Sequence, residues 1–384
     1  MLTRLQIRNY RAIADLTLDL GPKKLLIGRN GAGKTSVFDV LAGIRDLVVE
    51  GEKCEHVFPL TSIPRWLKEE RPQILQQLFE VDLDGPYGPV HYELIIDQNE
   101  VLARSRVFSE SLTAGDKPLF AFREGNVQLY RDHDHSEGPK YTFDWNRSAL
   151  GSVLPGPDNP RLTWFKDRMR SVECVRIDAP RMATRSEREE ARLERDFSNF
   201  PSWYRRALVA NMSAGSSYLT AIREVIGGMD SLDLHELGQG IMVLRAAFNR
   251  PPGPQTTAGV KRARTFWLEF HELSDGQRAL VGLYALLHFM VRENMTLCID
   301  EPDNFVALAE IQPWLLGIED RVDDLGAQVV LASHHPELLD MLARDHGIIL
   351  ERDGSGPTHV RRFAPPADTT LAPAELIARG WERA

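Results

Sequence analysis

The sequence is poor in cysteine and contains no long apolar run. Its three cysteines, Cys54, Cys174 and Cys298, are widely spaced, and no pair has the spacing of metal ligands. The longest nearly unbroken apolar stretch, 279–291, is shorter than the roughly 20 residues that span a bilayer. The first residues alternate in polarity and lack the apolar block of a signal peptide. These absences predict a cytoplasmic protein that has no membrane contact.

The sequence also lacks an excess of positive charge and any sustained heptad repeat. Its 46 Lys and Arg residues against 55 Asp and Glu residues give a formal net charge of −9. That balance excludes a protein that coats nucleic acid over its whole surface, although it is compatible with one local basic face. The apolar fraction of 43% is that of an ordinary globular protein. A chain of 384 residues holds one large domain or two ordinary ones.

Local patterns predict an α/β fold. Alternating polarity predicts strands over 3–7 and 14–20, and a buried strand over 24–27 leads through a glycine-rich loop to a helix over 35–49. Further strands are predicted over 90–96, 101–108, 119–123, 127–131 and 265–270, and loops over 132–160 and 251–260. Helices over 276–292, 306–319 and 336–344 then alternate with strands over 296–299 and 328–332. This alternation is typical of a parallel sheet with helices packed on it.

The middle of the chain is rich in charge of both signs. Segment 161–195 carries ten Lys or Arg residues and seven Asp or Glu residues. Within it, 185–195 is predicted to form an exposed helix with i,i+4 ion pairs, and 202–228 follows as a more amphipathic helical region. Segment 161–195 is the best candidate for contact with nucleic acid or a partner protein. A solvated helical face is the commoner meaning of such interleaved charges.

Residues 28–35 match the phosphate-loop pattern. In such a loop the backbone N–H groups close around the phosphates, Lys34 supplies positive charge to the β- and γ-phosphates, and the Thr35 hydroxyl ligates Mg²⁺. The helix that follows points its N-terminus at the anion. The predicted nucleotide-binding residues are Gly28, Arg29, Asn30, Gly31, Ala32, Gly33, Lys34, Thr35 and Ser36.

Two segments farther along the chain add chemistry to this loop. An apolar run ends in Asp300 and Glu301. Asp300 fits a contact to Mg²⁺, either direct or through another ligand, and Glu301 fits the group that orients or deprotonates the attacking water. Ser274 and Gly276 stand at the start of an apolar helix. Ser274 suits an N-cap, and a capped helix end also suits the docking of a γ-phosphate.

The motifs follow one another in a fixed order, at 28–35, 273–277, 297–301 and 331–334. In this order and spacing they resemble the ATPase head of the ABC superfamily. The gap between the first two motifs is more than twice that of transporter ATPases, and no coiled coil fills it as in SMC proteins. Segments 5–11 and 300–304 resemble RecF-like and OLD-like ATPases, which include the ABC-like ATPases of bacterial antiphage systems. The resemblance covers 1–50 and 265–384.

The resemblance implies an ABC-type α/β head with a mixed central sheet, an antiparallel β layer and a helical insertion. A single head is expected from 1–150 and 250–384, with 150–250 as a mainly helical lid or a region that binds a partner or DNA. Two heads would sandwich ATP, so that Ser274, Gly276 and Gln277 of one copy reach the γ-phosphate held by Lys34 of the other.

The resemblance also assigns single residues. His334 matches the switch histidine that contacts the γ-phosphate, and His335 is the alternative one residue on. Arg11 and Tyr10 match positions that contact the adenine or sugar, although packing on the sheet edge fits Tyr10 equally well and a solvated side chain fits Arg11 equally well. The candidates for the family's glutamine loop, each of which also fits a surface helix, are Gln73, Gln76 and Gln77.

The expected activity is Mg²⁺-dependent ATP binding and hydrolysis by a homodimer. The chain would act as the ATP-gated switch or motor of a bacterial antiphage or DNA-maintenance complex. Its output would lie in a separate effector, a nuclease or toxin, because the chain lacks the acidic cluster of a Toprim nuclease; DNA is a further candidate partner. The alternatives are a RecF-like repair ATPase and a low-turnover, ATP-bound scaffold that sequesters a toxic enzyme. A transporter ATPase, which would need a membrane subunit, is disfavoured by the motif gap.

Overall fold

The structure is a computed structural model that describes residues 1–70, 75–100, 104–250, 265–354, 356–365 and 369–380. The chain divides into two compact units. The first unit contains 1–174, 294–300 and 326–384, and the second contains 175–293 and 301–325. The expected division into a head and an insertion over 150–250 stays a prediction. The loop predicted over 251–260 and the glutamine candidate Gln73 lie outside the described residues.

Runs of consecutive strands make up much of the chain, and strands alternate with helices from about residue 275 onward. The strands are β1 Leu2–Tyr10, β2 Ile13–Asp19, β3 Lys23–Ile27, β4 Gln76–Gly85, β5 Gly88–Asn99, β6 Arg104–Ala114, β7 Lys117–Arg123, β8 Asn126–Tyr130, β9 Glu137–Thr142, β10 Val172–Val175, β11 Arg185–Ser186, β12 Met229–Gly238, β13 Ile241–Asn249, β14 Thr265–Glu269, β15 Thr296–Asp300, β16 Gln328–Ala332, β17 Gly347–Arg352 and β18 Thr358–Arg362. The α-helices are α1 Lys34–Arg45, α2 Cys54–Val57, α3 Arg65–Glu70, α4 Ala149–Ser152, α5 Pro160–Arg170, α6 Phe200–Ala210, α7 Met212–Val225, α8 Asp275–Ala285, α9 Leu308–Leu325, α10 Pro336–His346 and α11 Pro373–Arg379.

The first unit contains two sheets. Antiparallel strands form an eight-stranded sheet in the order β2-β1-β4-β5-β6-β7-β8-β9. The second sheet has the order β10-β15-β16-β3-β17-β18, in which β15, β16, β3 and β17 run parallel. All five residues of β15 and all five of β16 are buried, as expected of strands covered on both faces. The carboxyl ends of these parallel strands meet at one edge, where α/β folds place their ligands.

The second unit packs helices beside a small antiparallel sheet, in which β11, β12 and β14 all pair with β13. Two buried polar side chains donate to backbone carbonyls of α8. The Tyr218 hydroxyl lies 3.0 Å from the Val281 oxygen, and the Trp314 indole nitrogen lies 2.9 Å from the Leu283 oxygen. These bonds satisfy the polar ends of two large core side chains and fix α8 against α7 and α9.

The predicted fold class is confirmed, with mixed and antiparallel sheets and packed helices. The predicted helix over 185–195 is wrong. Ser186 of β11 pairs with Met242 of β13, and Leu193 is buried. The Asn199 side chain donates to the Arg192 carbonyl at 2.9 Å. Strand pairing and side-chain bonds to the backbone replace the helix there. The region predicted as one helical stretch over 202–228 is α6 and α7, and the loop predicted over 132–160 contains β9 and α4.

Gln76 and Gln77 lie in β4 rather than in a helix or loop, and the Gln77 side chain is fully buried. Its Nε2 donates to the Asn9 carbonyl at 3.0 Å and to Ser62 Oγ at 3.1 Å, while its Oε1 accepts from Gln98 Nε2 at 3.1 Å. The network supports the tip of the first hairpin, where Asn9 has a left-handed backbone with φ of 60°. A buried amide with every bond made holds one conformation firmly.

We predict that Gln77→Ala lowers the free energy of unfolding by about 2–3 kcal/mol, because it leaves buried hydrogen-bonding groups without a partner. Urea denaturation followed by circular dichroism measures the change. Gln76→Ala, one residue away and only half-buried, is the matched control and should be close to wild type. Equal stability of the two variants would contradict the role given to the network.

Candidate functional site

The glycine loop of the first unit joins the end of β3 to the start of α1. Gly31 and Gly33 have left-handed backbones, with φ of 79° and 105°, which glycine adopts without strain. Gly28 is required for a different reason. A Cβ there would lie 2.4 Å from the Leu350 carbonyl oxygen of β17. The loop therefore has the conformation and the close backbone approach that a phosphate cradle needs.

Lys34 begins α1 and is almost fully buried. Its Nζ donates to the Gly28 carbonyl at 2.5 Å, so the ammonium lies across the mouth of the loop. Of the other predicted loop residues, Arg29, Asn30 and Thr35 are exposed, whereas Ala32 and Ser36 are buried. Ser36 therefore lies on the buried side of α1, whereas Arg29, Asn30 and Thr35 are accessible at the loop surface.

Thr358 of β18 supports the loop from behind, and sequence reasoning missed it. Its Oγ1 donates to the Ala32 carbonyl at 3.0 Å, and its backbone N–H donates to the Ala12 carbonyl at 3.0 Å. The side chain is buried. A lone threonine in a strand carries no motif, so only the packing of β18 against the loop reveals this contact.

Thr35 and Asp300 are brought together from opposite ends of the chain. Thr35 Oγ1 donates to Asp300 Oδ2 at 2.7 Å across 265 residues of sequence. A hydroxyl and a carboxylate are the oxygen donors that Mg²⁺ takes beside nucleotide phosphates. The donor set therefore fits Mg²⁺ with Thr35 and Asp300 as its protein ligands.

A cavity of about 940 Å³ opens over the loop within the first unit. Residues 28–32, His334, the turn between β17 and β18 and the end of α11 line it. His335 has a different task, because its Nδ1 accepts from the Glu337 N–H at 3.3 Å and caps α10. Of the two histidines, His334 is therefore the one that lies at the loop cavity.

Arg11 and Tyr10 differ in accessibility. The Tyr10 ring is buried and packs edge-on against Phe58 and Phe79, with centroids 6.2 and 5.9 Å away. The ring cannot stack on a base there, so packing at the sheet edge is the structural outcome. Arg11 is about half exposed, forms an ion pair with Asp39 of α1 and lies over the Tyr10 ring. Its contact with a nucleotide stays a prediction.

In the second unit, Ser274 is the N-cap of α8 and forms a capping box with Gln277. The Gln277 N–H donates to Ser274 Oγ at 3.2 Å, and the Ser274 N–H donates to Gln277 Oε1 at 3.1 Å. Gly276 packs against the loop after β15, since a Cβ there would lie 2.8 Å from the Phe305 carbonyl oxygen. Ser274 itself is exposed, so this capped helix end is open to a ligand.

Glu301, also in the second unit, is held by two donors. Arg176 Nη2 lies 2.8 Å and Asn304 Nδ2 lies 2.9 Å from the same oxygen, Glu301 Oε2. Sequence reasoning missed Arg176. Asn304 was visible only as part of the 300–304 stretch. The contact from Arg176 joins segments 125 residues apart, so no local pattern could predict it.

Comparison with known proteins finds similarity over parts of the chain. Residues 157–340 match the family described as "AAA domain, putative AbiEii toxin, Type IV TA system". A segment of 37 residues is 51% identical to an OLD nuclease from Thermus scotoductus, covering 10% of this chain and 7% of that protein.

Two solved structures are similar to the chain at low sequence identity. The SMC head domain from Thermotoga maritima has a TM-score of 0.47 at 12% identity, with 94% of this chain and 99% of that chain covered. The SmcHead bound to the C-winged helix domain of ScpA has a TM-score of 0.55 at 10% identity, with 94% and 97% covered. Residues 157–340 thus match an AAA-domain family, and the likeness to the SmcHead structure shows a fold of the SMC-head type. No helix in the described part of the chain is long and apolar enough to cross a membrane.

The two histidines give a direct test of this geometry. We predict that His335→Ala lowers the free energy of unfolding by about 1 kcal/mol because α10 loses its cap. His334→Ala, at the exposed neighbouring position, should leave it unchanged. Urea denaturation of both variants measures the difference, and the reverse order of effects would show that the histidines have been assigned the wrong way round.

Proposed function

We propose that this chain binds and hydrolyses ATP with Mg²⁺ as a head-to-head dimer, and that the ATP-driven change controls a separate effector. The match of residues 157–340 to an AAA-domain family supports ATPase activity. The single observation that carries the proposal is the 2.7 Å contact between Thr35 and Asp300, beside a lysine buried in a glycine loop of the right conformation. This contact supports the proposal because Thr35 and Asp300, the two candidate Mg²⁺ ligands, lie within hydrogen-bonding distance of each other at the start of α1.

Each residue has a defined task in this proposal. Thr35 and Asp300 would hold Mg²⁺, which neutralises phosphate charge when it is bound. Lys34 exchanges the Gly28 carbonyl for the β- and γ-phosphates, whose charge makes them the stronger acceptors. His334, which lines the loop cavity, donates to the γ-phosphate. Glu301 orients the attacking water through its carboxylate.

The dimer follows from the exposed end of α8. The capping box engages only the Ser274 and Gln277 N–H groups, and Ser274 is exposed. Helix N-termini attract anions through their free N–H groups and the helix dipole. We infer that Ser274, Gly276 and Gln277 of one copy receive the γ-phosphate held by Lys34 of a second copy.

The biological setting is inferred from relatives. The matching family's description names a putative toxin of a type IV TA system, and the relative that matches over a short segment is an OLD nuclease. We propose that this ATPase acts in defence against phage or in maintenance of DNA. Its partner would be a nuclease or toxin, and DNA is a further candidate.

Incubating the purified chain with plasmid DNA and Mg²⁺ tests whether the effector is a separate protein. Cleavage of the plasmid by the chain alone would contradict a separate effector.

We predict that Lys34→Ala weakens ATP binding by about 100-fold or more, because a charge-assisted contact to the phosphates is lost. Isothermal titration calorimetry with ATP and Mg²⁺ measures the affinity. Lys53→Ala, at an exposed lysine outside the loop, is the control. Micromolar binding by the Lys34 variant would refute the phosphate-loop assignment, and wild-type protein that keeps bound ATP intact would favour the low-turnover scaffold.

The dimer is tested in a Glu301→Gln background, in which slow turnover should trap the ATP-bound state. We predict that adding Ser274→Arg abolishes the ATP-dependent dimer seen by light scattering, since an arginine side chain occupies the space needed by the second copy. ATP binding by the monomer should persist in calorimetry. Ser217→Arg, an equally large change at an exposed site on α7, should still dimerise. Normal dimerisation of the Ser274 variant would rule out the sandwich.

A further inference from the structure

The Glu301 carboxylate sits on a turn that determines its direction. Glu301 has a left-handed backbone with φ of 50°, which non-glycine residues adopt only where surrounding contacts enforce it. The Asn304 N–H donates to the Glu301 carbonyl at 3.2 Å, which closes the turn. The same residue's Nδ2 donates to Glu301 Oε2 at 2.9 Å. Backbone and side chain of Asn304 therefore both hold Glu301.

Arg176 reaches the same oxygen from a distant segment. It follows β10 directly, and its backbone N–H donates to the Arg195 carbonyl at 2.7 Å. Its Nη2 donates to Glu301 Oε2 at 2.8 Å. Two donors thus converge on one oxygen of a side chain that is only 17% exposed. The two hydrogen bonds restrain the rotation of the carboxylate about the Cγ–Cδ bond of Glu301.

We propose that Arg176 is a positioning residue for Glu301, assisted by Asn304; the proposal rests on the role given above to Glu301. With Oε2 held from two sides, Oε1 is the oxygen that accepts from the attacking water. Orienting water requires a carboxylate that is held in a fixed direction, and a charge-assisted hydrogen bond from a guanidinium is a strong restraint on that direction. Arg176 supplies this restraint through its 2.8 Å contact with Glu301 Oε2.

The surroundings of Arg176 fit a positioning role better than a purely structural role. The Arg176 side chain is 54% exposed, and ion pairs with such exposed members add little to folding. Arg176 and Asn304 line an open cavity of about 810 Å³ in the second unit, together with Arg181, Asp196 and Phe305. Loss of the guanidinium should therefore appear in turnover rather than in stability.

The test compares ATP turnover among variants at this cavity. Arg176→Gln should lower kcat by about 10-fold, because a misdirected base loses reactive geometry, while KM for ATP changes by less than about 2-fold. Arg176→Lys, which keeps the charge, should recover part of the rate. Asn304→Ala should lower kcat by a smaller factor. Arg181→Gln is the matched control, since Arg181 pairs with Asp196 at 3.0 Å in the same cavity, and it should turn over like wild type.

A double variant shows whether Arg176 acts through Glu301. Arg176→Gln combined with Glu301→Gln should be no slower than Glu301→Gln alone in single-turnover assays. Wild-type kcat for Arg176→Gln, a raised kcat, or a further fall in the double variant would each overturn the positioning role. Full turnover by Glu301→Gln would have a different consequence, since it would remove the role assigned to Glu301 itself.

Discussion

One hydrogen bond, from Thr35 to Asp300, depends on the register of the whole parallel sheet. Asp300 pairs with Ala332 of β16, and Ala332 pairs with Leu26 of β3. The carboxylate therefore reaches the start of α1 past the end of the intervening strand β16. A slip of one residue would turn Asp300 to the opposite face of the sheet. The candidate Mg²⁺ site exists only if this register is kept.

The opposite end of the same strands shows how that register is fixed. The buried Gln328 side chain begins β16. Its Nε2 donates to the Leu2 and Gly21 carbonyls at 2.7 and 2.8 Å, and its Oε1 accepts from Thr296 Oγ1 at 2.8 Å. Apolar strands fit one another in several registers, whereas a buried amide with directed bonds fits only one. Gln328 thus aligns β15 and β16 at the end of the strands opposite the candidate Mg²⁺ ligands.

Features that depend on neighbouring residues could be predicted from the sequence, whereas features that depend on contacts between distant residues could not. The glycine loop after β3, the strand β15 and the helix α10 follow from short local patterns and could be predicted from the sequence. The charged segment 185–195 has the charge pattern of a helix, but the burial of Leu193 and the pairing of Ser186 outweigh that local preference. Thr358 and Arg176 act on residues more than a hundred positions away, and no local pattern records such contacts.

The two acidic groups proposed for catalysis are adjacent in sequence yet belong to different units. Asp300 ends β15 in the first unit, and Glu301 begins the second unit's segment 301–325. The sheet register that fixes Asp300 therefore stops one residue short of Glu301. The direction of its carboxylate must come from contacts within the second unit, and the turn closed by Asn304 together with the Arg176 guanidinium provides them. Two neighbouring acids at a strand end can thus be oriented by two independent sets of contacts.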